Sequence, residues 1–101
     1  MYDYIIVGAG STACVMANRL SANPDTKVLL LEAGGKDTSQ LIHILAGFRF
    51  NMGNENLDWC YKTEPEPNLN NREIDWPRGR VLGGSSSING MIYIRDNAIT
   101  I

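Results

Sequence analysis

The feature that most constrains this chain is a glycine-rich turn set between an apolar run and a helical pattern. Tyr4-Ile5-Ile6-Val7 is rich in β-formers, and Gly8-Ala9-Gly10-Ser11-Thr12-Ala13 follows at once. From Ser11 to Leu20, Ala13, Met16, Ala17 and Leu20 recur at the i, i+3, i+4, i+7 spacing of a helix with one sheet-facing stripe. Asn23-Pro24-Asp25 carries turn chemistry, and Lys27-Val28-Leu29-Leu30-Leu31-Glu32 reads as a second strand. Both strands are nearly continuous apolar runs, as strands buried in a parallel sheet are. Strand, helix and strand within about 30 residues make one βαβ unit, predicted to be parallel and right-handed.

Beyond Gly34-Gly35 the pattern loosens. Leu41, Ile42, Ile44, Leu45 and Phe48 are spaced for one short helix, and Gly53 with its neighbouring asparagines marks a loop. Trp59–Thr63 and Arg72–Trp76 read as extended segments joined by a Pro/Asn-rich connection from Glu64 to Asn71, forming a hairpin. A short helix is expected to begin at Ser86 or Ser87. The expected fold is α/β: a partial Rossmann-like domain of one βαβ unit, an extended hairpin and a ligand-contacting loop. No third strand of a doubly wound sheet follows, so residues 1–101 read as the N-terminal part of a larger domain.

An apolar content of 44% argues against disorder, and a net charge of −2 gives no reason to expect nucleic acid as a partner. Cys14 and Cys60 show no metal or redox spacing, and two reduced thiols in a reducing compartment are expected. There is no room for a signal peptide before the first strand, and no apolar stretch approaches the roughly 20 residues of a membrane span. A cytoplasmic location is the expectation.

The first turn has the chemistry of a dinucleotide site. Gly8 permits the sharp exit from the strand, Gly10 lacks the Cβ that would hold a pyrophosphate off the backbone, and Ala13 is small enough for close helix–strand packing. The helix directs its N-terminal amides and positive dipole end at the phosphates. Glu32, at the end of the second strand, is placed to accept hydrogen bonds from a ribose diol. FAD and NAD both present an ADP half, so this turn alone does not choose between them.

A second segment, Arg78-Gly79-Arg80-Val81-Leu82-Gly83-Gly84-Ser85-Ser86-Ser87-Ile88-Asn89-Gly90, offers more bare amides and hydroxyls for an anion. An NAD enzyme has no obvious use for it, whereas FAD is long enough to need two such loops. Read on its own it is equally a Gly/Ser surface turn with Arg78 and Arg80 as solvated charges.

The stretch from Trp76 through that segment and on through Met91-Ile92-Tyr93-Ile94-Arg95 resembles the signature of the glucose–methanol–choline (GMC) oxidoreductases. The start, Tyr2 to Gly35, resembles their FAD-binding N-terminus. Tyr61-Lys62-Thr63-Glu64-Pro65-Glu66-Pro67-Asn68-Leu69-Asn70-Asn71-Arg72 is most similar to the choline dehydrogenase branch. The likeness runs from about Tyr2 to Ala98 and departs from the usual pattern at Ala13, Leu45 and Asp96.

The resemblance implies that Gly8, Gly10, Ser11 and Thr12 line the pyrophosphate, with Glu32 and Ala33 at the adenosine ribose. It implies that Val81, Gly83, Gly84 and Ser85 support FAD from the other side, that Asn89, Gly90, Met91 and Ile92 sit against the flavin, and that Trp59 borders it. Members that tether the flavin do so through a His before the matching Asn; Ile88 stands there, which implies non-covalent FAD.

The implied chemistry is oxidation of a small-molecule alcohol to the aldehyde or ketone, with hydride passing to flavin N5 and a late histidine as base. His43, the one histidine here, lies in the irregular segment and reads as a packing or loop residue, so no catalytic residue is assigned. The electron acceptor is unknown from these residues, and peripheral membrane association through an electron-transfer partner stays open. The alternatives are an NAD(P)-dependent enzyme and a truncated, non-catalytic FAD-binding module.

Overall fold

The computed structural model describes residues 1–94; Arg95, Asp96 and the residues up to Ala98, on which the resemblance also drew, lie outside the described residues. Strand β1 (Tyr4–Val7) pairs in parallel with β2 (Val28–Leu31), Tyr4 opposite Val28 and Val7 opposite Leu31. Between them runs α1 (Ser11–Leu20), ended by Ser21, whose N–H reaches the Ala17 carbonyl. The predicted βαβ unit is formed with the helix bounds the sequence indicated.

Burial of the strands differs from the expectation. Only Ile6 of β1 is buried, while Val7 is 83% exposed and Leu31 47%. Two strands and one helix leave most of both sheet faces without a partner layer. The radius of gyration is 17.1 Å, against roughly 13 Å for a compact domain of about 100 residues.

The stretch after Gly35 breaks the single expected helix into α2 (Gln40–His43), a 3-10 turn at Leu45–Gly47 and α3 (Phe48–Asn51). Ile44, at φ −106° and ψ 122°, is extended and interrupts the helical path. The extended hairpin forms as expected from β3 (Tyr61–Lys62) and β4 (Asp75–Trp76), antiparallel with Tyr61 opposite Trp76. Its one ion pair among the described residues, Lys62 to Asp75 at 3.8 Å, is exposed and contributes little.

No α-helix starts at Ser86 or Ser87. Gly84–Ser87 is a 3-10 turn, and Ile88 at φ −126° closes it. The serines explain the difference: Ser86 Oγ donates to the Gly83 carbonyl at 2.6 Å and Ser87 Oγ to the Leu82 carbonyl at 2.8 Å. These local bonds compete with helix continuation. Asn89 then turns the chain away, its Oδ1 accepting from the Met91 N–H at 2.9 Å. The small core lies beneath this turn, where Val81, Ile88 and Leu57 are buried together with Ile42 packed against them. No helix of the described residues is long and apolar enough to cross a membrane.

Candidate functional site

Three backbone segments meet at the C-terminal end of the two-stranded sheet. The Gly83 N–H donates to the Ala9 carbonyl at 2.8 Å, and Gly10 and Gly83 pair as in a parallel ladder. The Leu82 N–H donates to the Gly35 carbonyl at 2.9 Å, and Gly35 pairs with Val81. The two glycine-rich segments, remote in sequence, therefore form one wall. Their closeness needs glycine at position 84, because a Cβ there would lie 2.9 Å from the Gly10 Cα and the residue has φ +59°.

Gly8 has φ +88°, the left-handed conformation that lets the chain leave β1 sharply. Gly10 is a different case. It has φ −75°, which any residue adopts, and a Cβ there would meet nothing of the described residues within 4 Å. Neither backbone conformation nor packing among the described residues accounts for its missing side chain. What Gly10 does is keep open the floor of a groove of about 720 Å³, within the size range of small-molecule sites.

Gly8, Gly10, Glu32, Ala33, Trp59, Gly84 and Ser85, all expected at a ligand, line that groove. Ser11 and Thr12 form the first turn of α1, whose N-terminus has no side-chain cap, so its leading N–H groups are left without intrahelical partners. Ser85 Oγ accepts from the Gly79 N–H at 3.1 Å, which leaves its own proton free for a ligand on the groove side. Ser86 and Ser87 have spent their protons inside the loop, so of this loop's three hydroxyls only that of Ser85 is left for an anion.

The other expected residues sit differently. Val81 is wholly buried and holds the loop from below, and Gly83 makes the contact to Ala9. Asn89, Gly90, Met91 and Ile92 follow the turn and do not line the groove, with Ile92 strongly exposed.

The far wall is aromatic. Trp59 and Tyr61 stack with ring centroids 5.9 Å apart and planes 2° from parallel. The Arg80 guanidinium lies 5.4 Å from the Trp59 ring centroid, and that of Arg78 lies 5.2 Å from the Trp76 ring centroid. Arg80 also donates to the Glu55 carbonyl and Arg78 to that of Pro77, and Arg78 stays exposed. Arg78 and Gly79, at the head of the second glycine-rich segment, line the groove as well, as does Tyr61 beside Trp59.

Asp58 was missed altogether. It is 2% exposed, yet it organises the loops below the groove. Its Oδ1 accepts from the N–H groups of Arg78 at 2.8 Å and Cys60 at 3.0 Å, and its Oδ2 from that of Gly53 at 2.8 Å. Burial pushes this carboxyl up, but the backbone donors Gly53, Arg78, Cys60 and Trp59 outweigh it and hold Asp58 below its ordinary value. Cys60 beside it goes the other way, raised by desolvation and then by the charges of Asp58 and Glu55, so its thiol is not an activated nucleophile. His43 is away from the groove, its Nε2 2.8 Å from the Asp37 carbonyl.

The segment from Arg78 onward, idle in an NAD-type site, is thus built into the same groove as the first turn. Comparison with known proteins agrees with that geometry. The GMC oxidoreductase family model matches residues 2–101. The chain is 58% identical over 95 residues to an alcohol dehydrogenase [acceptor] of Pseudomonas putida, covering 94% of this chain and 17% of that protein. It is 55% identical over 97 residues to an oxygen-dependent choline dehydrogenase of Photobacterium profundum, covering 96% and 17%. Its fold matches the crystal structure of pyridoxine 4-oxidase from Mesorbium loti with a TM-score of 0.88 at 41% identity, covering 94% of this chain and 18% of that one. The chain spans under a fifth of the length of these relatives. On the two interlocked glycine-rich segments and a family match along its length, this chain belongs to the GMC oxidoreductase family.

Proposed function

We propose that residues 1–101 are the N-terminal part of the FAD-binding domain of an enzyme that oxidises an alcohol of the choline type to its aldehyde. The observation that carries this reading is Gly10: a glycine with an ordinary backbone conformation and open space at its Cβ, on the floor of the groove. The chain's residues fit the cofactor by their donor set. The uncapped amides at Ser11 and Thr12 and the free Ser85 hydroxyl face an anion, Glu32 and Ala33 take the ribose end, and Trp59 supplies an aromatic face. Asn89 to Ile92 would meet the ring system once the rest of the domain is in place.

Bound FAD supplies the hydride acceptor for the alcohol carbon. The residues of this chain bind and orient it, and Gly10 and Gly84 let two backbones close on it. The proton of the substrate hydroxyl is taken by a base beyond this chain, since His43 is tied to Asp37 outside the groove. Ile88 ahead of Asn89 offers no histidine for a covalent link, so the flavin is held non-covalently.

Gly10→Ala in the full-length protein tests this directly. The new methyl meets no atom of the described residues, so stability falls by about 1 kcal/mol, the typical cost of an N-cap change to Ala. FAD affinity falls by about tenfold or more, because the methyl occupies ligand space. A variant that keeps wild-type flavin content and affinity would sink the reading, as would a full-length protein that purifies without flavin absorbance and takes up no FAD.

A further inference from the structure

We infer that Glu32 is a positioning residue, whose carboxylate sets the first glycine turn and fastens it to the second loop before a cofactor arrives. Its Oε2 accepts from the Ala9 N–H at 2.6 Å and its Oε1 from the Gly34 N–H at 2.9 Å. Ala9 is fully buried, so water cannot replace the lost acceptor if the carboxylate is removed. The Ala9 carbonyl in turn accepts from the Gly83 N–H at 2.8 Å and from Cys14 Sγ at 3.3 Å. Gly34 leads into Gly35, whose carbonyl accepts from Leu82 at 2.9 Å. Both backbone segments on which the second loop leans are thus held by one side chain.

A residue kept only to bind a ribose diol has no need to place both oxygens on backbone donors of its own chain. The two roles coexist, because a carboxylate has about four lone-pair sites and two are used here. The latch rests on the proposed reading of the turn as a pyrophosphate site, but it makes a separate prediction about the unliganded protein.

The test compares wild type, Glu32→Gln and Glu32→Ala as full-length apo proteins. Residue-resolved hydrogen exchange is followed at Ala9, Gly34, Leu82 and Gly83, with Met52 and Thr63, whose N–H groups donate to the Phe48 and Ile74 carbonyls, as references outside the groove. Binding of inorganic pyrophosphate, which has no ribose, is measured beside binding of ADP. Gln keeps the shape of the side chain but presents an NH2 to one of the two N–H donors.

The latch predicts exchange roughly tenfold or more faster at Ala9 or Gly34 and at Gly83, the scale of a lost charge-assisted bond. Met52 and Thr63 stay unchanged, and affinity for pyrophosphate falls with that for ADP. Wild-type exchange with loss of ADP binding alone overturns it, leaving Glu32 a ribose ligand only. A uniform rise at every amide, the references included, overturns it as well. If wild type binds neither probe, the proposed function fails, while the exchange result still decides the latch.

Discussion

Replacing Asp58 by Asn removes one negative charge and one acceptor from the junction under the groove while keeping the side chain's volume. The carboxylate satisfies the N–H groups of Gly53, Cys60 and Arg78. Asn keeps a single oxygen, so with that oxygen on Cys60 and Arg78 its NH2 faces the Gly53 N–H, donor against donor. A hydrogen bond to a charged group contributes about 1.5–3 kcal/mol, and a buried unsatisfied N–H costs about 1–3 kcal/mol. With the two surviving bonds weakened by loss of charge, about 2–4 kcal/mol is a fair total, a large share of a typical domain stability of about 5–15 kcal/mol.

The direct readout is hydrogen exchange at Gly53, Cys60 and Arg78 in the full-length protein, predicted to speed up by about 30-fold to about 700-fold at about 1.4 kcal/mol per tenfold. The pH dependence gives an independent arm. The folded Asp58 lies below its ordinary value, so its stabilisation is fully present above the unfolded value of about 3.9 and is lost as pH falls through the lower folded one. Corrected for intrinsic exchange, wild type should lose protection at these three amides in that acid window, and Asp58→Asn should show no such step. A variant exchanging within threefold of wild type, or sharing its acid step, would refute the argument.

Gly84→Ala should cost about 1–2 kcal/mol for the left-handed conformation alone, and its methyl against Gly10 should part the two loops, read as lower flavin content at equal protein. Ser85→Ala should raise the Kd for FAD by about 3–10-fold, the scale of one neutral hydrogen bond, while Ser86→Ala, whose proton is committed to Gly83, leaves the Kd at the wild-type value. Ile88→Ala, at a site 2% exposed, should cost about 2–5 kcal/mol in a denaturant titration. Acid precipitation of the holoprotein should leave all flavin in the supernatant, since Ile88 provides no tether; flavin retained in the pellet would contradict that.

The elements legible in the sequence are those fixed by near neighbours. Strand β1, the turn and α1 follow from contiguous residues, and β2 follows from an apolar run closed by Glu32. The hairpin was readable because Tyr61 and Trp76 are β-formers on either side of a Pro/Asn-rich link. The breaks at Ile44 and after Ser87 were not readable by spacing. The first depends on how Gly47 packs against the Leu41 backbone, and the second on serine hydroxyls that bond backward. Asp58 was hidden for a related reason: its three donors lie at positions 53, 60 and 78, and no periodicity links them.

Part of the site was legible where the rest of the fold was thin, and the two facts have one cause. The wall of the groove is made from backbone against backbone: Gly83 on Ala9, Leu82 on Gly35, Gly84 against Gly10. Such contacts are specified by what must be absent, a Cβ, and not by which apolar group fills a space. They leave a glycine and serine signature that survives in the sequence even where the sheet beneath is half uncovered and Val7 is 83% exposed. A packed core tolerates many apolar combinations of similar volume, so its pattern says little about a ligand. A glycine such as Gly10, which lines the groove and is unexplained by conformation or by packing among the described residues, is what the proposed pyrophosphate contact requires, and that makes it the most informative residue of the site.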